Sequence, residues 1–298
     1  MGNNPTIVEW SDHKAPQKEK VMMELFETKK EILSADEYAA FWLYFDAGYY
    51  GFNTIVLAIQ QSPNLRYPEL LTTLAEHSDE ARRLQCQKYL TYPTLFEMDV
   101  KHVRVILQWF LKSSSQSQKT FVHRFPDLQF ITVFRGLTLP VEVPVGGLIF
   151  NHQFTSTSWT LFDAVFFARQ SHSSLLKIKL PFEIAWAMQT AMLNDPGEIT
   201  EFMLPPGVHF QVVETCTVQY RYPVAWKDKQ ALVGIIVPDR VSLRGYVCEL
   251  LTPDLKTYLL GCVKSLDNLS DQKKHDFSSS RRSVSKRKTM DNSDGESQ

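Results

Sequence analysis

The chain has 298 residues, 44% of them hydrophobic and 22% charged, with a formal net charge of −1. That is enough for one large domain or two small ones with a sizeable core, in an ordinary globular composition. The near-neutral balance argues against nucleic acid or an anionic membrane as the main partner. The four cysteines, Cys86, Cys216, Cys248 and Cys262, form no CxxC pair. They read as buried thiols in a reducing compartment, not as a disulfide framework or a zinc site.

Residues 1–20 are polar and charged, show no signal peptide, and are expected to be a flexible segment. A folded domain is expected over 21–264, helical through 115 and strand-rich from 116. Ser34 followed by Glu37 has capping-box spacing. Tyr38, Trp42, Phe45, Tyr49, Phe52 and Val56 then recur every three or four residues, one face of a helix. Gly48 and Gly51 predict two helices with a bend. Asp46 and Asn53 inside this run speak against a membrane span, because a carboxylate at a bilayer centre costs roughly 2.5–3.5 kcal/mol. Pro68 opens a helical stretch through Leu90, and Val100–Leu111 reads as a short helix.

Strands follow. Leu176, Ile178 and Leu180 alternate with Lys177 and Lys179, and Val208, Phe210 and Val212 alternate with His209 and Gln211. Phe130–Phe134 and Phe202–Leu204 are short apolar runs suited to buried strands, with a helix between them around Leu161–Gln170. Helices first and strands after predict an α+β domain. From Ser265 to residue 298 the composition turns polar and the tail is expected to be disordered. Its Arg281, Arg282, Lys286, Arg287 and Lys288 read either as a nuclear or docking signal or as a solvated tail.

Three motifs stand in order on the strand-rich half. They are Val133-Phe134-Arg135-Gly136-Leu137, then Phe154-Thr155-Ser156-Thr157-Ser158, then Glu198-Ile199-Thr200-Glu201-Phe202-Met203-Leu204-Pro205-Pro206-Gly207. An arginine at a strand end offers a planar fork of donors suited to a diphosphate. The glycine after it leaves backbone open to a flat ligand. A Ser-Thr-Ser strand can orient a neighbouring carboxylate, and a glutamate opening an apolar strand is a carboxylate on a rigid element. Arginine, hydroxyl and glutamate together suit a reaction that builds positive charge on a sugar. HExxH, GxSxG and P-loop motifs are missing, and no metal is expected.

In this order the motifs resemble those of the cholera-toxin-like and clostridial-type mono-ADP-ribosyltransferases, the Arg–Ser–Glu class. Leu33-Ser34-x-x-Glu37, Tyr44, Gly48-Tyr49 and Phe52-Asn53 are similar to that family's N-terminal helices. Ala164–Ala168 and Leu175–Lys179 are similar to the helix and strand after Ser-Thr-Ser. The likeness covers roughly 24–250. It implies N-terminal helices packed on two mixed β-sheets, with NAD+ in the cleft. It also implies roles: Arg135 on a phosphate, the Gly136 backbone on the carboxamide, Ser156 orienting Glu201, and Phe167 against the nicotinamide ring. Thr157 and Ser158 join the NAD+ contacts, Tyr49 and Asn53 lie near the adenosine half, and Glu201 takes the 2′-hydroxyl of the nicotinamide ribose.

There are departures. Arginine-modifying members carry a second glutamate two residues before the catalytic one, where this chain has Ile199. Glu198 lies three before, and alternation along a strand puts it on the other face unless a bulge intervenes. Glu198 and Ile199 are therefore the acceptor-recognition positions, and the loop from 191 to 198 is expected to choose the target. Arg169 stands one residue out of the family's register, with Gln170 in its place. The resemblance implies a protein mono-ADP-ribosyltransferase that uses NAD+ as substrate. A glycohydrolase with water as acceptor, or an inactive binding module, are the alternatives. The target would be a protein, a host protein if the chain is a secreted bacterial effector delivered to host cytoplasm, and the enzyme a monomer. A cytoplasmic enzyme is the other setting.

Overall fold

A computed structural model describes residues 6–10, 33–61, 65–112, 129–137, 141–168, 173–181, 201–223, 227, 240–252 and 254–269. Helix α1 (Ala35–Leu43) begins at the expected capping box. The Ser34 hydroxyl accepts from Glu37 N, and the Glu37 carboxylate takes Ser34 N at 3.0 Å. The expected bend is instead a π-helical turn, Tyr44–Gly48, leading directly into α2 (Tyr49–Gln61). Gly48 makes the turn possible, because a Cβ there would lie 2.6 Å from the Leu43 carbonyl oxygen.

The π turn adds one residue to the helical repeat, a rotation of about 100°. The buried stripe is therefore not the one the spacing predicted. Ahead of the turn it runs through Ala40, Phe41 and Tyr44, while Tyr38, Trp42 and Tyr49 are 40–43% exposed. From Phe52 and Val56 onward, prediction and structure coincide.

The stretch expected as one helix to Leu90 divides into α3 (Glu69–Glu76) and α4 (Glu80–Thr91), because Asp79 caps a fresh N-terminus through Arg82 N. Helix α5 (Pro93–Lys112) is longer than expected, starting at Pro93, a residue favoured in a first helical turn. Among the described residues no helix is long and apolar enough to cross a membrane.

The strands are β1 (Thr6–Glu9), β2 (Phe130–Leu137), β3 (Leu148–Phe150), β4 (Thr155–Ser158), β5 (Ser174–Pro181), β6 (Glu201–Leu204), β7 (His209–Arg221) and β8 (Arg240–Leu251), with α6 (Leu161–Phe167) between β4 and β5. The α+β class is as expected, but the strands do not form two separate sheets. They lie on one hydrogen-bonded path, β1-β7-β8-β5-β2-β4-β6, with β3 on β7. The path narrows between β2 and β4, which share the single pair Phe134–Ser158, so β4 and β6 form a short ribbon at one end.

Two apolar clusters flank the sheet. Helices α1–α5 pack on one face with Ile131, Val133, Leu176, Ile178, Leu180 and Tyr246. Helix α6 packs on the other with Phe134, Leu175, Val218 and Leu243. Strand β7 serves both. Val212 pairs with Cys248 and Glu214 with Val247, so Val213 is an inserted residue. That bulge flips the alternation: Val208, Phe210 and Val212 face the helices, while Cys216, Val218 and Tyr220 face α6. All four cysteines are buried and free.

Both expected chain-end boundaries shift. Thr6–Glu9 is not part of a flexible segment but a strand parallel to β7, and Trp10 beyond it packs on Phe134 at 6.2 Å. A further helix occupies 255–269, carrying the fold past Ser265. Leu266 and Leu269 are buried, and Asp267 pairs with Arg104 of α5 at 2.8 Å. Its last turn was hidden because, from Ser265 to Leu269, only Leu266 and Leu269 are apolar among polar residues.

Candidate active site

The short ribbon of β4 and β6 places two of the three motif residues. In the β4–β6 register Ser158 lies across from Glu201 and Ser156 across from Met203. Diagonal neighbours on one face of a strand pair are within side-chain reach, and the Ser156 hydroxyl is hydrogen-bonded to Glu201. Arg135, near the end of β2, donates from Nη1 to the Ser156 carbonyl at 2.7 Å, and its charge acts on Glu201. Arg135, Ser156 and Glu201 are thus brought together across sequence separations that only strand pairing can close.

Two residues of the helical layer join them. Tyr44, in the π turn and 2% exposed, is hydrogen-bonded to both Ser156 and Asn53 and lies within electrostatic range of Arg135 and Glu201. With Glu201 ionised, one consistent direction runs from the Asn53 amide to Tyr44, from the Tyr44 hydroxyl to Ser156, and from the Ser156 hydroxyl to Glu201. The Asn53 Oδ1 is buried and unpartnered among the described residues. Tyr44 stood among the residues similar to the family's helices but carried no assigned role. Its position at a helix irregularity is the signal that could have found it, since π turns recur at functional sites.

Burial dominates the electrostatics. It pushes the Glu201 carboxyl up to about 7, offset in part by the Ser156 hydrogen bond and the Arg135 charge and reinforced by Asp163. Burial likewise pushes the Tyr44 phenol up to about 12. The same desolvation lowers the Arg135 guanidinium, countered by the charges of Tyr44 and Glu201. The site therefore holds a carboxyl poised near neutrality beside a fixed cation.

Other expected contact residues separate by environment. Thr157 is buried, and its hydroxyl bonds the Phe202 carbonyl at 2.9 Å, joining β4 to β6. Ser158 is buried and bonds Asp163 Oδ2 at 3.0 Å, tying β4 to α6. Both hydroxyls are engaged by the scaffold, and Thr157 points away from Ser156, as alternation along a strand requires. Asn53 is buried and hydrogen-bonded to Tyr44. Tyr49 is 42% exposed, its ring tilted against that of Tyr50 with centroids 4.1 Å apart. Phe167 is 65% exposed at the end of α6.

Gly136 has a packing reason of its own. A Cβ there would lie 2.0 Å from the Ala164 carbonyl oxygen and 2.8 Å from Ala168 N, so α6 rests directly on the β2 backbone beside Arg135. Glu198, Ile199, Arg169, Gln170 and the loop from 191 to 198 lie outside the described residues. Among the described residues no group of three or more His, Cys, Asp or Glu side chains is placed to hold a metal ion.

Fold and site together define an α+β protein in which a guanidinium, a hydroxyl and a carboxylate from three strands meet beneath a helical layer. No protein-family model matches the sequence, and no curated protein is significantly similar to it. Among solved structures the chain is similar to the enzymatic component C2-I of the C2-toxin from Clostridium botulinum, at 12% identity and a TM-score of 0.42, over 82% of this chain and 48% of that one. It is similar to the catalytic domain of VahC from Aeromonas hydrophila, at 18% identity and a TM-score of 0.35, over 74% of this chain and 100% of that one. It is also similar to the Vis toxin, an ADP-ribosyltransferase from Vibrio splendidus, at 12% identity and a TM-score of 0.39, over 81% of this chain and 88% of that one. The chain spans about half the length of the C2-I component.

Proposed function

We propose that this chain is a mono-ADP-ribosyltransferase that takes ADP-ribose from NAD+ and passes it to a side chain of a target protein. The observation that carries the reading is the convergence of Arg135, Ser156 and Glu201, with Glu201 poised near neutrality and oriented through Tyr44 and Ser156.

In this reading Arg135 grips a phosphate of the dinucleotide, as a planar fork of donors suits. The carboxamide lies against the Gly136 backbone, and Phe167 covers the nicotinamide ring. The exposed Tyr49–Tyr50 pair offers a surface for the adenosine half. The C–N bond between nicotinamide and ribose breaks, and its electron pair leaves with neutral nicotinamide. Positive charge develops on the ribose. The Glu201 carboxylate stabilises that charge through the 2′-hydroxyl, a preorganised electrostatic effect in a site shielded from water. The acceptor atom then bonds C1′ and releases its proton to solvent. Ile199, standing where arginine-modifying members have glutamate, favours a hydroxyl or water as acceptor over a guanidinium. An effector delivered into a host cell, acting as a monomer, is the setting this chemistry fits best.

Incubation with labelled NAD+ and host lysate, followed by mass spectrometry of labelled proteins, tests the reading. Transfer to a defined protein supports it. Nicotinamide release equally fast without any protein acceptor would make the chain a glycohydrolase. No NAD+ cleavage, together with no rise in melting temperature on adding NAD+, would sink both.

Tyr44→Phe removes one hydroxyl from the chain that orients Ser156. A buried hydrogen bond of this kind contributes about 1–1.5 kcal/mol, so NAD+ cleavage should fall about tenfold with the fold intact. Steady-state kinetics beside a thermal melt checks this, and unchanged kinetics would show that Ser156 needs no help from the helical layer.

A further inference from the structure

We infer that Asp163 is a positioning residue for Glu201: its carboxylate, anchored at the start of α6, holds a negative charge against the reactive carboxyl and sets how readily that group takes on its own. The inference rests on the reading of Glu201 given above.

The geometry comes from three elements. Ser158 lies directly across from Glu201 in the β4–β6 register. The Ser158 hydroxyl donates to Asp163 Oδ2 at 3.0 Å, and the Thr160 hydroxyl donates to the same oxygen at 2.6 Å. The Asp163 backbone N–H returns to Thr160 Oγ1 at 3.3 Å, and Thr160 N to Ser158 Oγ at 3.0 Å. This closed set of bonds fixes the Asp163 carboxylate on Ser158, the residue paired with Glu201. Among the described residues, the groups acting on Glu201 include Arg135 of β2, Ser156 of β4, Tyr44 of the π turn and Asp163 of α6. Of these, Asp163 alone opposes ionisation of Glu201 by a full like charge, adding to burial, while Ser156 and Arg135 favour it.

One consequence follows. The carboxylate form of Glu201 is held back in mild acid, so activity rises toward neutral pH. A purely structural role for Asp163, as an N-terminal acid on α6, has no such consequence.

The test compares wild type, Asp163→Asn and Asp163→Glu in two measurements. One is the pH profile of nicotinamide release from NAD+. The other is titration of the Glu201 carboxyl by NMR with carboxyl-labelled glutamate, assigned by Glu201→Gln. Asp163→Asn should move both midpoints toward acid, so that at pH 6 it keeps about a threefold larger share of its own maximal rate. Asp163→Glu should keep the wild-type midpoints. Midpoints unmoved in a folded Asp163→Asn protein would overturn the inference. Should Asp163→Asn fail to fold, Asp163→Ser, a second neutral replacement with a short polar group, is read in the same way. Absence of NAD+ cleavage with the NMR shift intact would remove the proposed activity and leave the coupling of the two carboxyls standing.

Discussion

Glu201→Gln is expected to slow nicotinamide release from NAD+ by about 10²–10³-fold, the usual cost of deleting one preorganised group that stabilises transition-state charge. The amide keeps the volume and one acceptor oxygen, so binding of NAD+ should change little; the loss belongs to the rate of bond breaking. The same substitution carries a stability signature. The Glu201 carboxyl has its folded value near 7 against a reference of 4.5. A carboxyl raised in this way binds its proton more tightly in the folded state. Wild-type stability therefore falls as pH rises from about 4.5 to about 7, and this contribution falls no further above that. Glu201→Gln has no such proton to lose. Its melting temperature relative to wild type should therefore be more favourable at pH 8 than at pH 5. Single-turnover kinetics and paired melts at the two pH values give both numbers. A variant with the wild-type rate would remove Glu201 from the chemistry, whatever its stability.

Gly136→Ala should disrupt the site from behind. The new methyl would meet backbone, the Ala164 carbonyl oxygen at 2.0 Å and Ala168 N at 2.8 Å, and neither can swing aside as a side chain would. Helix α6 must lift or β2 must bend. Overpacking of this sort costs about 1–3 kcal/mol, and a backbone obstacle places this case at the upper end. For a domain of this size that corresponds to a fall of about 6–12 °C in melting temperature. Activity should fall with it, because β2 carries Arg135 and α6 carries both Asp163 and Phe167. A melting temperature and rate equal to wild type would mean that α6 does not rest on β2 as described.

Much of the site is legible in the order of residues alone. Arg135, Ser156 and Glu201 can be picked out because each stands in a short motif whose local chemistry is distinctive. The capping box at Ser34 and the alternating runs of β5 and β7 are readable for the same reason: cap geometry and side-chain alternation are properties of a few consecutive residues. Local pattern says less where packing decides which partner a group meets. Thr157 and Ser158 look equivalent to Ser156 in sequence, yet one hydroxyl closes on the Phe202 carbonyl and the other on Asp163. The strand of Thr6–Glu9 has no alternation of its own and forms because β7 offers an edge.

The amino-acid sequence by itself determined the helical and strand-rich halves, the order of the three motifs and the kinds of chemical group they supply. Tertiary structure alone decided which of those groups meet. A β4–β6 ribbon sets Ser156 beside Glu201, the end of β2 brings Arg135 to the Ser156 carbonyl, and a π turn inserts Tyr44 among them. Strand order, a one-residue bulge at Val213 and a one-residue helical insertion each redirect whole faces of side chains. Such effects depend on contacts between segments far apart in the chain, and no window of neighbouring residues contains them.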